Sequence, residues 1–117
     1  MDELLPKHYA DYRKRVRDFA EKEIHPVAIE NDENEHFPVD LTRKMGEAGL
    51  FGIAIPKEYG GQGLDTLSYI IAVEELARVD SSPAATIAAH NSLGIAPIYS
   101  YGTEDQKKKF IPGLCKG

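Results

Sequence analysis

Two adjacent glutamates, four histidines, one cysteine and a glycine-dense turn are the parts of this chain from which chemistry could be built. Glu74 and Glu75 invite reading as an acid and base pair. Neighbours on a helix point about 100° apart, however, so their carboxyls cannot share one substrate atom, and a solvated or interdomain ion-pair role suits them better. Glu33-Asn34-Glu35-His36 holds a single Glu-x-x-His. A four-helix carboxylate di-metal centre needs two such pairs on helices plus two more glutamates, and Phe37-Pro38 puts this one in a loop, so no metal site is expected. His8 and His25 fall on or beside a charged helix face and are expected in solvent. Ser81, Ser82 and Ser92 read as cap and turn residues, because no His and Asp accompany them at a triad-like spacing. Cys115 has a basic neighbour in Lys116 and nothing else that would activate a thiol.

The glycine turn, Ile55-Pro56-Lys57-Glu58-Tyr59-Gly60-Gly61-Gln62-Gly63-Leu64-Asp65, is the sharpest break in the sequence. It is not Gly-x-Gly-x-x-Gly after a strand, and no Gly-Lys-Ser/Thr follows, so neither phosphate-loop reading applies. Its glycines permit positive φ and close backbone approach, and Asp65 can accept from the free amides of a helix starting near Leu67.

The elements that carry these residues are helical. Leu5, Tyr9, Tyr12, Val16 and Phe19 alternate at spacings of four and three, one apolar stripe on a first helix that should stop or kink near Ile24, because Pro26 follows. A short segment Val27 to Asn31, an acidic linker to His36 and a helix Val39 to Ala48 ended by Gly49 come next. The helix Leu67 to Val79 is apolar around almost its whole circumference, which predicts burial inside a bundle or against a second domain. Ser81-Ser82-Pro83 supplies a cap and a first-turn proline for a helix of small residues, Ala84 to about Leu93, and Pro97 interrupts again before Gly102. Thr103 and Gln106 form a capping box for the last helix. The fold class is all-α, an up-and-down helical bundle.

At 117 residues the chain is one domain, and 42% hydrophobic against 28% charged residues exclude a disordered tail. No apolar run is long enough for a membrane span. A net charge of -5 disfavours nucleic acid as a partner. One cysteine allows no internal disulfide and no zinc framework. The first residues resemble neither a secretory signal nor a transit peptide, so a cytoplasmic location is expected.

The stretch Ile55 to Asp65 followed by Glu74-Glu75-Leu76-Ala77-Arg78, then Asn91-Ser92-Leu93-Gly94, then Gly102 to Leu114 with its Gln106-Lys107-Lys108-Lys109-Phe110-Ile111-Pro112, resembles the amino-terminal helical domain of the FAD-dependent acyl-CoA dehydrogenases. The match is strong from Phe37 onward and weaker over the first helix. It implies that residues 1–117 are the first of three domains, with a β middle domain and an α carboxy-terminal domain outside this chain. It also implies an enzyme that oxidises an acyl-CoA thioester to trans-2-enoyl-CoA. A glutamate takes the α-proton and the flavin of FAD takes the β-hydride, both held mainly by the other domains, so no catalytic or cofactor residue is expected here. The resemblance further implies a homo-oligomer, a homotetramer, that passes electrons to an electron-transferring flavoprotein. The residues carried over are the wall of the acyl pocket: Ala85, Thr86, Ala89, His90 and Leu93. An imidazole at His90 either projects into the tunnel, shortening it for a short or branched acyl group as in a butyryl-CoA-like member, or turns away to satisfy a hydrogen bond inside the bundle. The competing reading is a non-catalytic helical scaffold or dimerisation module with the same fold.

Overall fold

Proline and polar caps set most of the element boundaries. The computed structural model describes residues 2–117. Helix α1, Lys7–Phe19, buries Tyr12 and Val16 of the expected stripe. It does not stop at Pro26. Instead a π-helical turn, Ala20–Ile24, carries it into α2, His25–Glu33. The reason is local: the His25 amide reaches back to the Ala20 carbonyl, five residues away, so the ladder has already widened where the proline, which has no amide to donate, must fit. The same device recurs at Pro97. Helix α5, Ser81–Ala89, passes through a second wide turn, His90–Ile95, into α6, Ala96–Tyr101. Pro26, read from sequence as a stop or kink, and Pro97, read as an interruption, are therefore accommodated within continuous helices.

Helix α3, Val39–Glu47, packs Leu41 and Met45 inward and ends at Gly49, whose φ is +79°. Helix α4, Thr66–Ala77, begins at the expected cap: the Asp65 carboxylate accepts from the Ser68 amide at 2.9 Å and from its hydroxyl at 2.8 Å. The Tyr9 hydroxyl also donates to Asp65, which ties α1 to the start of α4. Helix α5 is capped by Asp80, accepting from the Ser82 amide at 2.9 Å, and not by the serines expected from sequence. Helix α7, Glu104–Leu114, opens with the Thr103 and Gln106 capping box.

Among the described residues there is no strand. The apolar stretch after α3 is an irregular turn, its Phe51, Ile53 and Ile55 buried. The glycine turn folds back onto it through Gln62 amide to Gly52 carbonyl, Leu64 to Ile53 and Gly63 to Ile55 bonds of 2.8 to 3.0 Å. Gly61 is obligatory there, since a Cβ would lie 2.1 Å from the Ile55 carbonyl oxygen.

The main core joins α1, α3, α4 and α5 around Ile24, Met45, Phe51, Ile53, Ile71, Leu76 and Ile87. A second cluster, Ile55, Tyr59, Ile95, Ile111 and Cys115, sits under α6 and α7. The molecule is a slab only 19 Å thick, about two helix diameters, so it cannot cover both sides of its central helices. Helix α4 shows this. Ile71, Ala72 and Leu76 are buried, yet Ile70 is 52% exposed, so the all-round apolar character expected to be buried is covered on only part of the circumference.

Candidate functional site

Small residues four apart on one helix make a smooth strip. On α5, Ala85 and Ala89 are exposed and Leu93, in the wide turn that follows, is 78% exposed, while Ala84 and Ile87 on the other side are in the core. Thr86 is half-buried and its hydroxyl bonds back to the Ser82 carbonyl at 3.0 Å, within its own helix. An apolar cleft of about 340 Å³ lies beside the strip, lined by Ile55, Tyr69, Ser92, Ile95, Ala96 and Tyr99 among others, and includes none of the five residues carried over from the resemblance.

Behind the strip the wide turn is anchored. His90 is half-buried, its Nε2 2.7 Å from the Leu114 carbonyl oxygen and its ring edge-on to Phe51 with centroids 4.7 Å apart. Of the two expectations for His90, the structure has the bundle hydrogen bond; the ring packs against Phe51, and the Leu114 carbonyl at the end of α7, which also accepts from the Gly117 amide at 3.2 Å, lies within its reach. Asn91 donates to the Leu50 and Ile87 carbonyls, each at 2.8 Å, and accepts from the Ile53 amide at 3.1 Å. Sequence reasoning missed Asn91 as a structural hub although it quoted the Asn-Ser-Leu-Gly motif.

The second charged constellation is Glu75. It is fully buried, with Arg13 at 2.7 Å, Arg17 at 2.9 Å and Arg78 at 3.0 Å, while the same Arg13 nitrogen, Nη1, also donates to Glu74 at 2.7 Å. Burial by itself would raise this carboxyl, but the hydrogen bonds from Arg17, Arg13 and Arg78 prevail and hold it down at about 2. A carboxylate held ionised by three guanidinium groups is a poor proton acceptor, so Glu75 is a clamp between α1 and α4. For Glu75 the expectation of a solvated or interdomain pair is corrected, since it is buried and its partners lie within the chain, whereas Glu74, 59% exposed, is the solvated one. The spacing of Arg13 and Arg17 on one face of α1 was the available signal.

The other reactive groups are quiet. Burial raises the Cys115 thiol. Ser92 donates to the Ala88 carbonyl at 2.7 Å. His8, His25 and His36 are exposed, and among the described residues no group of His, Cys, Asp or Glu could hold a metal ion.

Comparison with known proteins places this arrangement. Residues 6–117 match the family model for the acyl-CoA dehydrogenase, N-terminal domain. The chain belongs to the acyl-CoA dehydrogenase family. It is 48% identical over 117 residues to the short-chain-specific acyl-CoA dehydrogenase of Clostridium acetobutylicum, covering 100% of this chain and 31% of that relative. Among solved structures it is similar to butyryl-CoA dehydrogenase from Megasphaera elsdenii, with a TM-score of 0.89 and 39% identity over 99% of this chain and 31% of that one. A chain in the structure described as the electron transferring flavoprotein of Acidaminococcus fermentans gives a TM-score of 0.94 and 44% identity over 100% of this chain and 31% of that one. An acyl-CoA dehydrogenase complexed with FAD from Bacillus anthracis gives 0.88 and 35% over 97% of this chain and 19% of that one. The chain thus spans about a third or less of the length of these relatives.

The glycine turn and the start of α4 do not form a phosphate cradle for a flavin dinucleotide. A dinucleotide's pyrophosphate needs free amides or cations, but the amides of Gly60, Gly61, Gln62, Gly63 and Leu64 all donate to backbone carbonyls, and the Asp65 carboxylate covers the start of α4. No buried side-chain nitrogen or oxygen among the described residues lacks a partner that a cofactor could supply. What this acyl-CoA dehydrogenase segment does offer is an apolar face on a rigid backing. Among the described residues no helix is long and apolar enough to cross a membrane.

Proposed function

We propose that residues 1–117 are the amino-terminal helical domain of an FAD-dependent acyl-CoA dehydrogenase that oxidises short acyl-CoA thioesters to trans-2-enoyl-CoA, and that this domain supplies one wall of the slot for the acyl tail. The observation that carries the reading is the exposed strip of Ala85, Ala89 and Leu93 on a helix pinned from behind by His90 and Asn91. Small side chains let an alkyl chain lie close to the helix, and each methylene buried there gains roughly 0.8 kcal/mol. Thr86 borders the strip with its hydroxyl turned back to the helix. On this reading the flavin and the glutamate base belong to the part of the protein that this chain does not span. The short-chain preference is supported by the short-chain-specific Clostridium relative and not by bulk at His90. The enzyme is further proposed to be a cytoplasmic homo-oligomer that hands its electrons to an electron-transferring flavoprotein.

The test is Ala89→Leu in the full-length protein. Three added carbons on the wall should lower kcat/KM for octanoyl-CoA relative to butyryl-CoA by about tenfold or more, as added or missing methylenes do in apolar pockets. Leu93→Ala should shift the preference the other way. An acyl-chain profile unaltered by both changes would refute the assignment.

A further inference from the structure

An uninterrupted α-helix would not keep Ala85, Ala89 and Leu93 in one line. Four residues overshoot one α-turn by about 40°, so on an uninterrupted helix Leu93 would stand about 80° away from the line of Ala85. In a wide turn closed over five residues, four residues fall short of a full turn, and Leu93 swings back toward that line. The position of the extra residue therefore decides whether Leu93 shares a face with Ala85 and Ala89.

His90 is the first residue of that turn. A carbonyl oxygen only accepts, so at 2.7 Å the His90 Nε2 carries a proton and donates to Leu114. The bond crosses 24 residues of sequence and ties the turn to the last residue of α7, while the ring's other contact is the buried edge of Phe51. Asn91 fixes the next residue to Leu50, Ile53 and Ile87. With the first two residues of the turn held inward, Leu93 is carried out to the surface.

We propose that His90 is a positioning residue for the acyl tail: its Nε2–H bond to the Leu114 carbonyl fixes the wide turn so that Leu93 lies in line with Ala85 and Ala89, and so sets the chain length the slot accepts. This rests on the reading of the α5 face as the acyl wall. It differs from an imidazole that simply fills the tunnel, because the donor matters and the bulk does not.

Three substitutions separate the two. His90→Gln keeps a donor at the Nε2 position without the ring, His90→Phe keeps the ring against Phe51 without the donor, and His90→Ala removes both. Two readouts apply to each: amide hydrogen exchange at Ser92, Leu93, Gly94 and Ile95, followed in the 117-residue chain and in the full-length protein, and the octanoyl-CoA to butyryl-CoA ratio of kcat/KM in the full-length protein. His90→Phe and His90→Ala should speed exchange and change the ratio by about tenfold, the net worth of one hydrogen bond, whereas His90→Gln should stay near wild type in both. Wild-type behaviour of His90→Phe together with an altered His90→Gln would overturn the proposal in favour of bulk. Unchanged exchange in all three would overturn it outright. If exchange responds but the ratio does not, the proposal also falls, and Leu93→Ala says why: an altered ratio there leaves the acyl wall standing without His90, and an unaltered one removes the wall itself.

Discussion

Replacing Glu75 with glutamine tests what holds the slab together. The carboxylate has no exposed surface and is ringed by Arg13, Arg17 and Arg78 at 2.7 to 3.0 Å. Glutamine keeps the shape, removes the charge and turns an amide donor toward guanidinium groups that also only donate. A carboxyl that ionises at about 2 in the folded chain and near 4.5 when unfolded contributes on the order of 3 kcal/mol at neutral pH. Breaking a buried pair by removing one partner costs a similar amount. The urea midpoint of Glu75→Gln at pH 7 should therefore fall by roughly 1 to 3 M, given an m-value of about 1–3 kcal/mol/M.

The pH profile carries the sign. Because the folded value is depressed, the stabilisation is fully present above about 4.5 and disappears as the pH falls toward about 2. Wild type and Glu75→Gln should differ by a constant amount from pH 8 down to about pH 5.5 and converge below pH 4. A double-mutant cycle should give stronger coupling to Arg13, whose side chain is 12% exposed, than to Arg78 at 46%, since solvent screens the latter. A gap that stays constant to pH 2, or a variant within about 0.5 kcal/mol of wild type, would show that the three arginines do not act through this charge.

Asp65→Ala should cost about 1–2 kcal/mol in chemical denaturation through loss of the α4 cap, with Asp65→Asn close to wild type. The Tyr9 hydroxyl and then the Ser68 amide hold the Asp65 carboxyl below its ordinary range, so Asp65→Ala should also flatten part of the stability loss on acidification. Two glycines should respond in opposite directions to alanine. Gly61→Ala meets the Ile55 carbonyl and should cost at least about 3 kcal/mol, whereas Gly113 has open space around its Cβ position and Gly113→Ala should raise the thermal midpoint, by about 0.5–1 kcal/mol of stability. On α4, Ile71→Ala should cost about 2–4 kcal/mol in the 117-residue chain while Ile70→Ala stays within about 0.5 kcal/mol. If Ile70 proves as costly as Ile71 there, its half-exposed position in the fold is wrong.

Local rules carried the sequence reading a long way. Asp65 and the Thr103 and Gln106 box lie where caps were expected because capping depends on residues three positions apart, and the end of α3 at Gly49 needs only a positive φ. The strip on α5 was not legible from local rules: they predicted a helix of small residues, and the choice of Ala85, Thr86, Ala89, His90 and Leu93 came only from the family resemblance. The misreadings share another origin. Pro26 was read as a stop or kink and Pro97 as an interruption because the rule against proline assumes an α-helical ladder, and nothing local announces that the turn before each will widen. Glu75 counted as a polar position on α4, yet its burial depends on Arg13 and Arg17, about sixty residues earlier. The direction of His90 depends likewise on a carbonyl 24 residues later. Periodicity states which side of a helix differs from the other; it does not state what the far side meets. In this fold that distinction separates the α1 to α4 clamp, which buries a charge to hold two helices together, from the α5 strip, which leaves alkyl surface in the open on a turn braced from within. The brace explains how so exposed a leucine can have a defined place: the order in the turn comes from His90 and Asn91, and Leu93 inherits it.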